Sequence, residues 1–240
     1  MVVLDGAHRV TALRMLGCRY ACAALVDYMG PQIRLGGWLR TLSRPIDAAG
    51  AAEVAAKSGL DLIPLEAADL KEYSFPVMRL GDGRAYLLIP ASDTYQGHEV
   101  LSRFERGLKA SGFEFEYEAE IYADLRPTEK ADCTVIQPPS VRKEQVVETA
   151  RSGRVMASKA TRHTMPGRPV GVDVPLSLLR DSEIDVEEAN ARLSSMMERK
   201  AVETLPPGTT WRGRRYDETL LTFTECADEQ DRVLKTLPFF

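Results

Sequence analysis

The run Val2-Val3-Leu4-Asp5-Gly6-Ala7-His8-Arg9-Val10-Thr11-Ala12-Leu13-Arg14-Met15-Leu16-Gly17 constrains this chain more than any other stretch. Three apolar residues enter an Asp-Gly turn, and a helical spacing begins at once. Val10, Leu13 and Leu16 fall on one face, and Gly17 stands where a helix-ending glycine belongs. The pattern predicts a strand, a tight turn and a helix in immediate succession. Gly6 permits a sharp corner and a close approach of backbone to ligand. The first amides of the helix have no partner within it and carry the positive end of its dipole. Arg9 adds a planar fork suited to gripping phosphate. Phosphate is the ligand such a corner suits best. The plain structural alternative is a corner capped by Asp5, with Arg9 in solvent.

The 240 residues, 44% of them hydrophobic, suffice for a buried core and one or two compact domains. A formal net charge of −4 argues against a general nucleic-acid binder, which carries a basic excess. No apolar run is long enough to cross a membrane as a helix. Cys18, Cys22, Cys133 and Cys226 form no Cys-x-x-Cys pair and have no neighbouring His. They read as buried, reduced thiols of a cytoplasmic protein. Met1 abuts the first strand, with no basic and apolar leader before it.

Residues 20–28 read as a buried strand, with a further short strand at 32–35 before Gly36-Gly37-Trp38. A helix is expected over 47–57 and a short strand or connector over 60–65. The charged segment 66–74 reads as a boundary between units. Segments 75–80 and 84–89 form a strand pair closed by Gly81-Asp82-Gly83. An amphipathic helix over 95–111 turns Val100, Leu101, Phe104 and Leu108 inward, and its His98 is expected at the surface or as a cap. Strict alternation over 113–121 predicts a strand with Glu114, Glu116, Glu118 and Glu120 on a solvated face. A strand at 133–136 precedes a helix capped by Ser140 and running through Arg151, with Glu144 near capping-box spacing. A cation-rich loop without helical or strand period then covers 153–169, followed by an apolar strand over 170–176. A helix from Asp185 to about Lys200 and a hairpin over 211–223 finish the chain. The basic residues around Gly213 read as an exposed turn.

Asp5-Gly6-Ala7-His8-Arg9, with Ala12-Leu13 and Leu16-Gly17-Cys18, resembles the Asp-Gly-x-His-Arg segment of the ParB/sulfiredoxin-like fold. Within that fold it looks most like the free serine kinases, which phosphorylate L-serine to O-phosphoserine using ATP or ADP. Far downstream, Thr161-Arg162-His163, then Pro166-Gly167-Arg168-Pro169 and Val172-Asp173-Val174-Pro175-Leu176, resembles the Thr-Arg-His block of the same family. Sulfiredoxins carry a reactive cysteine where Ala7 stands. ParB proteins have a Gly-Glu-Arg-Arg-type box instead, and no helix-turn-helix is visible here.

The resemblance implies an α/β (mixed α+β) fold in three parts: a ParB/sulfiredoxin-like nucleotide-binding lobe over 1–69, a second mixed lobe over 70–182 carrying the substrate loop, and a helix-and-hairpin extension over 183–240. It implies a cytoplasmic phosphotransferase acting on free L-serine, with ATP or ADP and Mg²⁺ and with no nucleic-acid or membrane partner. Asp5 and His8 would be catalytic, with Asp5 beside the serine hydroxyl or on Mg²⁺. Gly6, Ala7, His8 and Arg9 would cradle the transferred phosphate. Arg162 would receive the serine carboxylate on its fork, with Trp38, Thr161 and His163 completing that pocket. Members of the family carry a segment before the first strand, with a glutamate proposed as the catalytic base; nothing equivalent precedes Met1 here. Either the true start lies upstream or this is a shortened member with impaired chemistry. In the second case Asp5 is the only acid of the matched motifs able to replace that base. The alternative function is a ParB-like nucleotide-binding regulator without serine kinase activity, which would have no use for the Thr-Arg-His block.

Overall fold

The computed structural model describes residues 1–65, 74–119 and 133–225. The boundary expected at 66–74 lies almost wholly outside these residues, as do Glu120, Ile121 and Cys226. From the Asp5-Gly6 corner the chain enters α1 (Ala7–Met15). Gly6 takes φ +85° there, a left-handed conformation that only glycine enters freely. β1 (Arg34–Gly36) and β2 (Trp38–Leu42) lead to α2 (Ala48–Lys57), where the Asp47 side chain caps the helix by accepting the Gly50 N–H. β3 (Asp61–Leu65), β4 (Val77–Arg79) and β5 (Ala85–Ile89) precede α3 (Thr94–Ala110), which Asp93 caps through the Gln96 N–H. β6 (Phe115–Ala119), β7 (Val135–Gln137) and α4 (Lys143–Arg151) follow. Next come β8 (Arg162–Thr164), β9 (Arg168–Val170), α5 (Leu176–Arg180) and α6 (Val186–Glu198). The last four strands are β10 (Lys200–Leu205), β11 (Thr210–Trp211), β12 (Arg214–Arg215) and β13 (Leu220–Glu225). The mixed α/β class read from the sequence holds.

The described chain divides into two compact units. One consists of residues 1, 3–34 and those from 164 onward, the other of residues 2 and 35–163. In the second unit, six strands pair in the order β3-β5-β4-β7-β2-β6, all antiparallel. Helices α2 and α3 bury their apolar faces in the main core, where Val54, Ala55, Leu101, Phe104 and Leu108 meet Leu42, Met78, Leu88 and Ile136. The β4–β5 hairpin turns at the expected Gly81-Asp82-Gly83, with Leu80 N–H bonded to the Arg84 carbonyl at 2.8 Å.

The first unit is built on a three-stranded sheet, β10-β13-β9, antiparallel on one side of β13 and parallel on the other. No residue of α1 is buried. Its end is tied by side chains: Arg180 Nε donates to the Leu16 carbonyl at 2.7 Å, and the Tyr20 hydroxyl donates to the Ile184 carbonyl at 2.6 Å.

Several expectations are corrected. Residues 2–4 and 20–28 are not strands. A strand requires a partner ladder, and among the described residues none forms over 20–28: the Leu179 carbonyl accepts from Arg19 and Tyr20 N–H, and the Asp27 carbonyl closes a local turn with Gly30 N–H. Leu25 is consequently 76% exposed, and Cys22 is exposed where a buried thiol was expected. His98 is buried, because α3 packs across the sheet with that face inward. Helix α4 starts at Lys143; the capping glutamine is Gln145, whose Oε1 accepts the Arg142 N–H, displacing both Ser140 and Glu144 from the expected cap. The loop over 153–169 contains β8 and the start of β9, whereas 171–175 forms no strand and α5 begins at Leu176. The hairpin expected over 211–223 is confined to β11 and β12, with Arg212 and Gly213 at positive φ in its turn. Leu220–Glu225 instead pairs with β10 and β9.

Candidate functional site

The sequence-predicted residues gather in two clusters, one in each unit. In the first unit, Asp5 stands at the foot of α1. Its Oδ1 accepts the Gly6 N–H at 2.7 Å, so that amide is spent locally. The N–H groups of Ala7, His8 and Arg9 remain at the open first turn of α1, since the first intrahelical bond runs from Val10 N–H to the Gly6 carbonyl. His8 and Arg9 are exposed, and the Arg9 guanidinium folds back over Gly6: a Cβ on Gly6 would lie 3.1 Å from Arg9 Nε and Nη2. The corner therefore presents three amides and a guanidinium to one place, with the dipole behind them.

Asp5 Oδ2 accepts Arg168 Nη1 at 2.6 Å, and Arg168 Nε donates to Glu218 Oε1. Sheet register makes this connection. Arg168 opens β9 opposite Leu220 of β13, and its N–H bonds to the Thr219 carbonyl at 3.0 Å, which sets Glu218 beside its side chain. Burial works to raise the Asp5 pKa, but the Arg168 charge and the Gly6 and Arg168 hydrogen bonds outweigh it, with a smaller push from Arg214. The carboxyl is held below its ordinary range. Asp5 is thus a well-fixed carboxylate and a weak base.

In the second unit, Trp38 opens β2, half-buried, and its Nε1 donates to the Thr161 carbonyl at 3.2 Å. Two cations face its ring: Lys159 Nζ lies 4.3 Å from the ring centroid and the Arg162 guanidinium 5.5 Å. Lys159 takes φ +61°, a conformation disfavoured for a lysine, which turns the loop at this point. Behind Trp38, Arg40 is 2% exposed; its Nη1 donates to the Trp38 carbonyl and its Nε to Glu105 Oε1, each at 2.5 Å. Arg40 stands opposite Tyr117 across the β2–β6 ladder, with its guanidinium 5.2 Å from that ring. The cluster thus sets two cations against one aromatic wall braced from beneath. Of the predicted set, Trp38, Thr161 and Arg162 come together here, and His163 is buried in the adjoining strand β8.

Sequence reading passed over Lys159, Arg40, Glu105, Arg168 and Glu218 as site residues. A signal existed for Arg40, an arginine amid Trp38-Leu39 and Thr41-Leu42 in an apolar strand, and for Arg168, inside a recognised block. None existed for Glu218. A cleft of about 470 Å³ along α3, walled by Tyr95, Glu99, Arg103, Arg106 and Val155, holds none of the predicted residues. Among the described residues no three His, Cys, Asp or Glu converge as a metal-binding group, and no helix is long and apolar enough to cross a membrane.

No family model matches the chain. It is similar to an ATP-dependent L-serine kinase of Desulfurococcus mucosus, with 28% identity over 191 residues covering 75% of this chain and 72% of that protein. The ADP-dependent L-serine kinase of Thermococcus kodakarensis is 26% identical over 188 residues, covering 74% and 73%. Among solved structures, a free serine kinase in complex with AMP matches 74% of this chain and 73% of its own, with a TM-score of 0.59 at 23% identity, a likeness of fold.

Proposed function

We propose, from its likeness to ATP- and ADP-dependent L-serine kinases, that the chain is a free serine kinase and transfers a phosphoryl group from ATP or ADP to the hydroxyl of free L-serine in the cytoplasm. The observation that carries this reading is the likeness to three L-serine kinases, each over about three quarters of this chain. Phosphoryl transfer asks little covalent chemistry of a protein; it asks for positioning and charge neutralisation. The amides of Ala7, His8 and Arg9, with the His8 and Arg9 side chains, are proposed to hold the transferred phosphate. Arg162 is proposed to receive the serine carboxylate beside Trp38, with Lys159 as a second cation and Thr161 and His163 shaping the wall. With no cluster of three protein ligands among the described residues, Mg²⁺ belongs in this scheme to the nucleotide, carried on its phosphates. Asp5, fixed as a weakly basic carboxylate, orients the hydroxyl or the nucleotide's cation electrostatically and does not act as the principal proton acceptor.

The test is mass-spectrometric detection of O-phosphoserine after incubation with L-serine, Mg²⁺ and either nucleotide. Product with at least one donor is expected. Nucleotide binding without product from either donor would overturn the kinase reading.

A further inference from the structure

The segment beyond residue 179, where the motif resemblance fades, meets Arg168 at its backbone N–H, through the Thr219 carbonyl, and at its side chain, through Glu218. Glu218 is 7% exposed and Arg168 is almost as enclosed, its side chain 11% accessible. Two opposite charges withdrawn from water in this way are retained only with close geometry, and removing either strands the other. Here the geometry is directional. The Arg168 fork spends Nε on Glu218 and Nη1 on Asp5, so one rigid plane joins a buried glutamate to the carboxylate at the foot of α1. The Gly6 N–H takes the other Asp5 oxygen. Both oxygens are thereby directed, one by the local turn and one by a residue 163 positions away in sequence.

We propose that Glu218, acting through Arg168, is a positioning residue that sets the orientation of the Asp5 carboxylate and hence the turnover rate. The proposal rests on the kinase reading for its effect on rate, and on geometry alone for its effect on Asp5. Glu218 anchors the guanidinium at Nε, next to the side-chain stem, and so helps to turn Nη1 toward Asp5. Without that anchor Arg168 still neutralises Asp5 but no longer aims it. Residues that orient metal ligands through hydrogen bonds typically contribute about 10–100-fold, and the same size of effect is expected for a residue that aims a site carboxylate.

The experiment uses the full chain with Glu218→Gln, which keeps shape and removes charge, and Glu218→Asp, which keeps charge on a shorter arm. Phosphoserine formation gives kcat and the KM for serine and nucleotide. Carboxyl-¹³C NMR gives the Asp5 resonance, assigned by its loss in Asp5→Asn. Expected for Glu218→Gln is a kcat lower by about tenfold or more, both KM values within about threefold, and a displaced Asp5 resonance. Glu218→Asp should recover part of both effects. An unmoved Asp5 resonance, or an unchanged kcat in an active enzyme, would overturn the proposal. Should Glu218→Gln not fold, Glu218→Asp alone decides by the same two readouts. If the wild-type chain makes no phosphoserine, the kinase reading fails by itself, and the Asp5 resonance still decides whether Glu218 governs that carboxylate.

Discussion

The proposed function gives two arginines different substrates, the nucleotide to Arg9 and serine to Arg162, and their side-chain chemistry makes the two roles separable. Arg9 stands exposed at the first turn of α1 and carries none of the core, so Arg9→Ala removes a charge-assisted contact without loosening the fold. Nucleotide affinity should fall by about 1.5 kcal/mol or more, the low end for a hydrogen bond to a charged group, with serine KM little changed. Arg162→Lys is the mirror case. The charge stays and the planar fork is lost, so serine KM should rise while nucleotide affinity holds. Calorimetric titration of nucleotide, paired with serine kinetics, reads both. A parallel loss of nucleotide affinity in Arg162→Lys would move the Thr161-Arg162-His163 block to the donor.

At the scale of elements, α3 shows what folding does to a residue that looks innocuous in sequence. Its cap at Asp93 and its inward Val100, Leu101, Phe104 and Leu108 follow local rules and were legible. His98 was not, because its burial depends on what crosses the helix. A Cβ on neighbouring Gly97 would lie 2.3 Å from the Ser74 carbonyl, so the chain passes directly over this turn. Among the described residues neither His98 ring nitrogen has a hydrogen-bond partner of full geometry, the approach to the Pro139 carbonyl being a weak one. Burial, helped by the Arg40 charge and opposed weakly by the Pro139 carbonyl, pushes its pKa from 6.5 to about 4. The unfolded chain thus binds a proton that the folded chain refuses between those values, and stability rises with pH across that window. The contribution is complete above about pH 6.5 and falls away toward pH 4, by roughly 3 kcal/mol at most. Urea unfolding at pH 7 and pH 5 should show this loss in the wild type and a smaller one in His98→Met; equal slopes would show that His98 is protonated in the fold.

The same contrast explains the other strands. The hairpin at Gly81-Asp82-Gly83 is written in neighbouring residues. Segments 2–4 and 20–28 have strand composition, but composition supplies no partner, and a strand exists only as part of a ladder. The candidate site was legible in the same measure. Asp5, Gly6 and Arg9 sit within one turn and announce themselves by spacing, whereas Glu218 joins them only through the β9–β13 register.

For the whole molecule, the distribution of buried apolar residues sets where the chain opens first. The continuous core lies in the second unit, between its six-stranded sheet and α2 and α3. Among the described residues the first unit buries fewer large apolar side chains, Ile33, Leu179, Ile184, Leu220 and Phe223, and exposes Met15, Leu25, Met29 and Leu176. Local opening is easiest where few apolar contacts and many solvent-facing amides coincide. Hydrogen exchange should therefore be slowest in β2, β4, β5, β7 and α3, intermediate in β10 and β13, and fast in α1 and residues 21–27. If the turn before α1 holds phosphate, saturating ADP stabilises the form that binds it, by about 2.7 kcal/mol at a concentration 100 times Kd. That energy appears only in amides whose opening breaks the site. Exchange in α1 and around Arg168 should slow with ADP, while that in α3 and β5, already limited by the core, should not change. Mass-spectrometric exchange with and without ADP resolves these segments. Protection confined to the α3 cleft near Tyr95 and Arg103 would place the nucleotide there and remove the Asp5–Arg9 turn from the donor site.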